Sequence, residues 1–324
     1  MAPLLQVENL VAGFETPKGF LKAVDGVSFQ IAEGESVGLV GESGCGKSAS
    51  ALSILQLLPH PIGKITEGKI LYQGRDLLEL PTKELCAIRG KEIAMIFQEP
   101  MSALNPVMRL GEQIAEPLLI HKLVQNKADA KAQVLQMLER VGIPEPHRRF
   151  GAYPHELSGG QRQRALIAMA LITRPKLIIA DEPTTALDAT LQTQILELLA
   201  SLQKEFALSV LFITHDLGLV KKLCHRVNVM YAGQIVESAP CQELFSSPKH
   251  PYSAGLLASR IGENDTPKGM LKTIEGRLPG YFEWESGCRF RPRCPYAAAS
   301  CQNPQPLRQL ATRCLRCELN PLKS

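Results

Sequence analysis

The chain lacks any apolar stretch long enough to cross a membrane. Its longest uninterrupted apolar run, Ala165–Ile172, is far shorter than the ~18 residues that a bilayer span requires. Residues Met1–Leu10 also lack the cationic region followed by an apolar segment that marks a secretory signal. The sequence therefore predicts a cytoplasmic protein, which can still lie against a membrane surface.

The main part of the chain also lacks an excess of positive charge. The net charge of +4 comes from the tail, because Ser286–Ser324 carries seven Lys or Arg residues against one acid, Glu318. This segment has a charge of +6, which leaves about −2 for the rest of the chain. A weakly acidic core argues against a general nucleic-acid-binding surface.

The cysteines do not form the pattern of a disulfide framework. Their number, nine, is odd, and the chain shows no secretory signal. Four are scattered, and five crowd the tail. The composition, 45% hydrophobic and 21% charged over 324 residues, excludes a disordered chain and allows one large domain or a main domain with an appendage.

Apolar periodicity predicts an α/β protein. The apolar run Ser36–Val40 leads into a glycine-rich turn, and Ala49–Leu58 has apolar residues at helical spacing, which is the strand–loop–helix order of a nucleotide-binding unit. Further strands are predicted at Leu5–Leu10, Ala23–Ile31, Lys69–Tyr72, Ile93–Phe97, Leu177–Ala180 and Val210–Ile213. Helices are predicted at Leu110–Leu123, Lys127–Val141 and Arg162–Ile172.

The pattern changes after residue 245. Nine prolines interrupt the remainder, so regular secondary structure is expected to be sparse there, and something other than a large apolar core has to stabilise it. We predict a nucleotide-binding domain over residues 1–245, with a helical subdomain at about 99–165, and a separate region over residues 246–324.

The glycine-rich turn fits the phosphate-loop pattern G-x-x-x-x-G-K-[ST]: Gly41, Glu42, Ser43, Gly44, Cys45, Gly46, Lys47 and Ser48. Glycines let backbone N–H groups approach phosphates closely, and the helix that follows adds its positive end. Lys47 is expected to contact the β- and γ-phosphates, and Ser48 to ligate Mg²⁺. The alternative, a glycine turn with an incidental lysine, does not account for the strand before it and the helix after it.

Two further motifs carry chemistry. The buried strand Leu177–Ala180 ends in Asp181, which suits a Mg²⁺ shell, and Glu182, which suits orienting or deprotonating a water molecule. The run Leu157–Gln161, with Ser158, Gly159, Gly160 and Gln161, is predicted to form a second anion site at a helix N-terminus. A glycine turn that only caps the helix is the alternative reading. Two γ-phosphate sites suit two chains arranged head to tail.

The order of these motifs, with Gln98, Ala186-Leu187-Asp188 and His215, resembles an ATP-binding cassette (ABC) ATPase over roughly Leu4–Phe245. The resemblance implies a P-loop NTPase (RecA-like) core with antiparallel β and helical subdomains, and it implies Glu182, His215 and Gln98 as catalytic residues. Gln98 would join Ser48 and Asp181 at Mg²⁺ and relay the nucleotide state to a membrane partner. Asp188 would lie at the dimer seam. The family stacks adenine on an aromatic residue, for which Phe14 and Phe20 are candidates, and we favour Phe20.

Two segments resemble the ATPase subunits of dipeptide/oligopeptide importers: Met95–Pro106, and in the tail His250-Pro251-Tyr252 with Gly287–Pro295. This resemblance implies a peripheral subunit on the cytoplasmic face of the plasma (inner) membrane. It would bind ATP and Mg²⁺ and associate with two permeases and a second ABC ATPase, either a paralogue or a copy of itself. An extracytoplasmic substrate-binding protein would act with it indirectly.

Other cargoes and one other class of protein stay open at this point. Importers of the same family serve nickel, glycosides or antimicrobial peptides, and their selectivity lies in other subunits. A soluble ABC ATPase that remodels nucleic acid would need a basic face on the core, which this sequence lacks.

The tail cysteines suggest a metal centre in a segment that lacks other means of ordering itself. Cys314-Leu315-Arg316-Cys317 is a C-x2-C pair typical of zinc sites, while four thiolates can also hold a [4Fe–4S] cluster. The importer resemblance favours the cluster, with Cys288, Cys294, Cys301 and Cys317 as ligands and Cys314 as the alternative fourth. We expect a structural role, because nothing in the sequence places these cysteines near the phosphate loop.

Overall fold

The structure is a computed structural model that describes residues 3–185, 187–259, 273–284, 286–319 and 322. The strands, in chain order, are β1 (Leu5–Thr16), β2 (Gly19–Ile31), β3 (Ser36–Val40), β4 (Gly63–Tyr72), β5 (Arg75–Asp76), β6 (Ile93–Ile96), β7 (Leu177–Asp181), β8 (Ser209–Thr214), β9 (Arg226–Tyr231), β10 (Gln234–Pro240), β11 (Arg308–Leu310) and β12 (Arg313–Leu315).

The helices, in chain order, are α1 (Lys47–Ile54), α2 (Thr82–Ile88), α3 (Pro100–Ala103), α4 (Leu110–Ile120), α5 (Lys127–Arg140), α6 (Pro146–Phe150), α7 (Gly159–Leu171), α8 (Ala189–Phe206), α9 (Leu217–Leu223), α10 (Cys241–Ser246) and α11 (Pro251–Ala258). All seven strands predicted from the sequence are present, and β1, β2 and β4 extend beyond the predicted limits. The sequence reading missed α8, although its buried residues Ile195, Leu199 and Leu202 recur at helical spacing.

The chain forms two compact units. The first comprises Met1–Ala32, Ser36–Leu78 and Ile213–Ser324, and the second comprises Glu33–Glu35 and Glu79–Phe212. Residues after 245 therefore belong to the same unit as the phosphate loop. The predicted domain boundary near residue 245 stays a prediction.

The first unit contains an antiparallel sheet in the order β2–β1–β4–β5, in which Leu5 pairs with Ile31 on one side and with Tyr72 on the other. It also contains the strand series β11–β12–β10–β9–β3. Strand β3 is buried throughout and runs parallel to β9. The tail enters this series through β12, which pairs antiparallel with β10.

The second unit is built on parallel strands and a helical layer. Strands β6 and β7 run parallel, with Ile93 opposite Leu177 and Ile96 opposite Ala180. Both carry apolar side chains into the interior, and α7 and α5 add buried faces with the spacing of amphipathic helices. These two strands end at the same edge, which positions the polar residues that follow them.

The tail is ordered by aromatic and ionic contacts. As predicted, the described residues after Ser246 hold sparse regular structure: α11, two three-residue strands and short 3-10 turns. The ring of Phe290 packs against Tyr231 and Tyr252 at centroid distances of 5.3 and 5.4 Å. The buried carboxylate of Glu237 accepts hydrogen bonds from the backbone N–H groups of Lys249 and His250, both at 2.9 Å, and pairs with Arg313. These contacts take the place of a large apolar core.

Candidate nucleotide site

The phosphate loop joins β3 to α1 in the first unit. A Cβ atom on Gly41 would overlap the carbonyl oxygen of Met230, and one on Gly46 would overlap the carbonyl oxygen of Ala23. Only glycine fits at these two positions, because the loop passes directly against neighbouring backbone. Helix α1 begins at Lys47, which places its N-terminus, with the positive end of its dipole, at the end of the loop.

The amine of Lys47 lies inside the curve of this loop. Its side chain is only 5% exposed, and its Nζ donates hydrogen bonds to the carbonyl oxygens of Gly41 at 2.8 Å and Glu42 at 3.0 Å. Burial raises the pKa of the neighbouring Cys45 thiol, so that this thiol stays protonated. This position of the Lys47 ammonium suits contact with bound phosphates. The neutral thiol of Cys45 adds no charge, so Cys45 is expected to contribute only its backbone.

The other predicted residues of the first unit are His215 and the aromatic candidates. His215 is exposed at the end of β8, directly before Asp216, whose carboxylate caps α9 by accepting the N–H of Gly218 at 2.6 Å. Phe14 and Phe20 lie on the hairpin of β1 and β2, where Phe14 pairs with Leu21 and Phe20 with Glu15. Both rings are half-buried. Adenine stacking on Phe20 stays a prediction.

The carboxylate pair lies at the end of β7 in the second unit. Asp181 is buried at the end of the strand. Glu182 adopts a left-handed backbone conformation, with a φ of 44°, which is uncommon for a non-glycine residue. Its Oε2 accepts hydrogen bonds from Gln98 Nε2 at 3.1 Å and from Thr185 Oγ1 at 2.8 Å. The carboxylate is thus held in one orientation at the end of the strand.

The register of the parallel strands explains why Gln98 meets Glu182. Ile96 lies opposite Ala180, and each of the two polar residues comes two positions later in the chain. The structure therefore brings together two residues that the sequence placed 84 positions apart. Of the predicted Mg²⁺ ligands, Gln98 and Asp181 belong to the second unit and Ser48 to the first.

The serine-glycine motif starts α7. Ser158 Oγ accepts the N–H of Gln161 at 3.3 Å, and Gln161 Oε1 accepts the N–H of Ser158 at 3.1 Å, which is a capping box. Asp188 caps α8 in a similar way, by accepting the N–H of Leu191 at 2.9 Å. A Cβ on Gly160 would press on the Leu191 side chain at 3.1 Å. Ala186 lies outside the described residues.

The tail cysteines separate into a group of four and one outlier. Burial and the neighbouring thiols of Cys301, Cys294 and Cys317 raise the pKa of Cys288 to about 11. The thiol of Cys314 lies apart on β12, where it donates to Gln309 Oε1 at 2.8 Å. Within the described part of the chain, no group of three or more His, Cys, Asp or Glu side chains is placed to hold a metal ion. The structure thus does not show the expected metal centre.

Sequence reasoning missed the contacts between the tail and the phosphate loop. Arg293, which precedes Cys294, forms an ion pair with Glu42, and Tyr281 donates a hydrogen bond to the carbonyl oxygen of Gly44. The tail therefore reaches the phosphate loop, which nothing in the sequence indicated. The structural role of the cysteines stays a prediction. The sequence does show an acidic residue, Glu42, at the second position of the loop. No local pattern identifies its partner, which lies 251 residues later.

Both the cassette and the tail of this chain are similar to known proteins. Residues 24–185 match the ABC transporter family, and residues 236–301 match the C-terminal region of oligopeptide/dipeptide transporters. A protein of Brucella abortus described as a peptide import ATP-binding protein is 49% identical over 97% of this chain and 95% of its own. The dipeptide transport ATP-binding protein DppD of Bacillus subtilis is 48% identical over 94% of this chain and 91% of its own.

Solved structures of similar fold are also ATP-binding cassettes. The dimeric cassette MJ0796, bound to ADP and phosphate after hydrolysis, is 29% identical and superposes with a TM-score of 0.66 over 73% of this chain and 98% of its own. The cbiO1 protein of Clostridium perfringens, described as part of the ABC transporter complex cbiONQ, is 27% identical, with a TM-score of 0.64 over 76% of this chain and 92% of its own.

The fold and these motifs define an ATP-binding cassette with a P-loop NTPase core. The chain belongs to the ABC transporter family, in the group whose C-terminal region is that of oligopeptide/dipeptide transporters. It is an ATPase that uses ATP with Mg²⁺, and as the ATP-binding subunit of a transporter it works with membrane permeases. Among the described residues, no helix is long and apolar enough to cross a membrane.

Proposed function

We propose that this chain is the ATP-hydrolysing subunit that powers import of di- and oligopeptides. The proposal is carried by the similarity of the whole chain, cassette and tail together, to peptide import and dipeptide transport ATP-binding proteins over 95% and 91% of their lengths. The cassette alone would support any ABC transporter. The tail, matched separately to the oligopeptide/dipeptide group, supports the cargo class.

The phosphate loop and Lys47 would hold the β- and γ-phosphates through backbone N–H groups and one buried ammonium. Ser48, Asp181 and Gln98 would hold Mg²⁺, and their hydroxyl, carboxylate and amide oxygens are the hard donors that this ion prefers. The bound ion supplies charge stabilisation for the transferred phosphoryl group. His215 would contact the γ-phosphate and add to that stabilisation.

Glu182 would orient the attacking water and accept its proton. Its hydrogen bonds from Gln98 and Thr185 hold the carboxylate in place, and one of them comes from the residue that is expected to report the nucleotide state. A base must lie in a fixed position relative to its proton to be effective, so these contacts support the role. The same contact would couple hydrolysis to the segment that follows Gln98.

A second cassette would complete each nucleotide site. Ser158 and Gly159 are exposed at the N-terminus of α7, a helix of 13 residues, so their backbone can meet an anion from another chain. We propose that Ser158–Gln161 of one cassette closes on Gly41–Ser48 of the other, with Asp188 near the seam. The partner would be a paralogue or a second copy of this chain.

The permease contact would lie on the segment around Gln98, residues 97–107. Phe97, Met101 and Val107 are large apolar side chains with exposures of 38, 51 and 82%. Their closeness in the chain supports an interaction surface here, since exposed apolar side chains that form one patch are typical of such surfaces. We therefore place the protein peripherally on the cytoplasmic face of the inner membrane, on two permeases that receive peptide from an extracytoplasmic binding protein.

Transport specificity is tested in proteoliposomes that contain this chain, the cassette partner and the permeases encoded beside it. Addition of the binding protein loaded with a di- or oligopeptide is expected to stimulate ATP hydrolysis about tenfold, because closure around two ATP molecules becomes coupled to cargo delivery. The empty binding protein serves as the control. Stimulation by nickel, a glycoside or an antimicrobial peptide instead of by ordinary peptides would contradict the proposed cargo.

For the tail we propose a [4Fe–4S] cluster held by Cys288, Cys294, Cys301 and Cys317. Burial, together with the neighbouring thiols of Cys301 and Cys317, raises the pKa of both Cys288 and Cys294, which supports their proximity. The N–H of Cys288 donates to the carbonyl oxygen of Cys301 at 2.8 Å. The donor set suits the cluster chemically. The side chains as placed do not yet surround an ion, so they would close on it when it binds.

Metal analysis after anaerobic purification tests this proposal. The chain is expected to carry about four iron and four sulfide per molecule. Cys317→Ser should lose most of the iron, whereas Cys314→Ser should retain it, because Cys314 lies apart from the other four. Stoichiometric zinc without iron, or equal loss of iron in both variants, would contradict the assignment.

A further inference from the structure

The tail contacts the phosphate loop at two of its residues, Glu42 and Gly44. The hydroxyl of Tyr252 accepts the backbone N–H of Glu42 at 2.9 Å, and the hydroxyl of Tyr281 donates to the carbonyl oxygen of Gly44 at 2.8 Å. Arg293 Nη1 lies 3.0 Å from both carboxylate oxygens of Glu42. All these residues belong to the first compact unit.

Glu42 presents an electrostatic problem at this place. A carboxylate at the second position of a loop that binds a polyanion repels the phosphates of ATP, and this repulsion grows where water is partly excluded. The Glu42 side chain is 28% exposed, so solvent screens its charge incompletely. Without a counter-ion this residue would weaken nucleotide binding.

Arg293 is built to supply that counter-ion. Its side chain is 6% exposed, and its guanidinium is held by hydrogen bonds from Nε to the carbonyl oxygen of Glu275 at 2.9 Å and from Nη2 to that of Ile274 at 3.3 Å. It also lies over the ring of Tyr231, 5.8 Å from the centroid. The charge is therefore fixed beside Glu42 by groups outside the loop.

We propose that Arg293 neutralises Glu42 within the phosphate loop and thereby sets the affinity of this loop for the phosphates of ATP. Arg293 is a positioning residue that acts through Glu42. The inference rests on the proposed assignment of Gly41–Ser48 as the phosphate-binding loop. It gives the tail a part in the ATPase reaction in addition to any structural role.

The test measures the Kd for ATP by calorimetry on the full-length chain. Arg293→Gln is expected to raise the Kd about tenfold, because the unpaired Glu42 carboxylate then repels the phosphates. The double variant Arg293→Gln with Glu42→Gln should return the Kd to within about twofold of the wild type. In 0.5 M NaCl the effect of Arg293→Gln should shrink to about threefold or less, because salt screens the exposed part of the repulsion.

A residue that only stabilises the fold would behave differently. Removal of both partners would then be at least as harmful as removal of Arg293 alone, and salt would not restore binding. Failure of the double variant to restore affinity, or an unchanged Kd in Arg293→Gln, would overturn the proposal. Arg277→Gln is the matched control, because Arg277 forms an exposed ion pair with Glu283 in the same segment and should leave the Kd unchanged.

Two further variants keep the test decisive. If Arg293→Gln does not fold, Glu42→Gln alone is expected to leave the Kd equal to or lower than that of the wild type, and a tenfold rise would overturn the proposal. Lys47→Ala checks the underlying assignment: if it binds ATP normally, the loop is not the phosphate site and the proposed function fails. If it loses ATP and Arg293→Gln does not, only the present inference fails.

Discussion

Glu182→Gln is expected to lower the rate of ATP hydrolysis at least about 100-fold while the Kd for ATP stays within about threefold of the wild type. The amide has the size and shape of the carboxylate, and it can keep one contact with Gln98 or Thr185, so the loop after β7 should stay intact. It cannot accept a proton from water. Chemistry is therefore lost while binding is retained.

The measurement is single-turnover hydrolysis with bound ATP, together with the oligomeric state in the presence of Mg-ATP. Because ATP is bound but not cleaved, the variant should accumulate as a complex of two cassettes closed on nucleotide. Glu139→Gln, an exposed carboxylate on α5 in the same unit, is the control and should hydrolyse ATP normally. Wild-type turnover in Glu182→Gln would remove the role that we assign to this carboxylate.

Lys47→Ala is expected to raise the Kd for ATP at least about 100-fold. The variant removes a buried ammonium from the centre of the phosphate loop, and a charge-assisted hydrogen bond to phosphate is among the strongest single contacts in such a site. It also leaves the carbonyl oxygens of Gly41 and Glu42 without the donor that now joins them. Both effects act on binding, so the loss should be visible before any hydrolysis.

The loss is measured as the shift in melting temperature that Mg-ATP produces, since a ligand stabilises the folded state by an amount that grows with the ratio of its concentration to its Kd. The wild type should be stabilised by excess ATP and Lys47→Ala should not. Lys64→Ala, which breaks an exposed ion pair with Glu15 in the same unit, is the control and should retain the shift. An unchanged shift in Lys47→Ala would contradict the assignment of the loop.

Local patterns carried most of the prediction of the fold and of the site. The apolar run of β3, the glycines after it and the helix that begins at Lys47 are adjacent in sequence, and adjacent residues determine their own backbone geometry. The same holds for β7 and its two terminal carboxylates. Helix α8 was not predicted, although its buried residues stand at helical spacing in the sequence.

Contacts between distant residues could not be predicted in this way. The meeting of Gln98 with Glu182 depends on the register of β6 against β7, which is set by how their apolar faces pack. The separation of Cys314 from the other four tail cysteines depends on the pairing of β12 with β10, and a strand of three residues carries almost no periodicity. The C-x2-C spacing of Cys314 and Cys317 therefore suggested a metal-binding pair, which the structure does not show among the residues it describes.

Phosphate loops and carboxylate pairs need particular residues at fixed, short spacings, so local patterns were enough to show the resemblance of the chain to an ATP-binding cassette. The resemblance of the tail to the oligopeptide/dipeptide type was likewise carried by short segments. The folded chain alone shows that this tail lies against the phosphate loop and contributes Arg293 to Glu42. Among 36 basic and 32 acidic residues, no spacing singles out that pair. The choice is made by packing, which brings two charges together and excludes the water that would otherwise screen them.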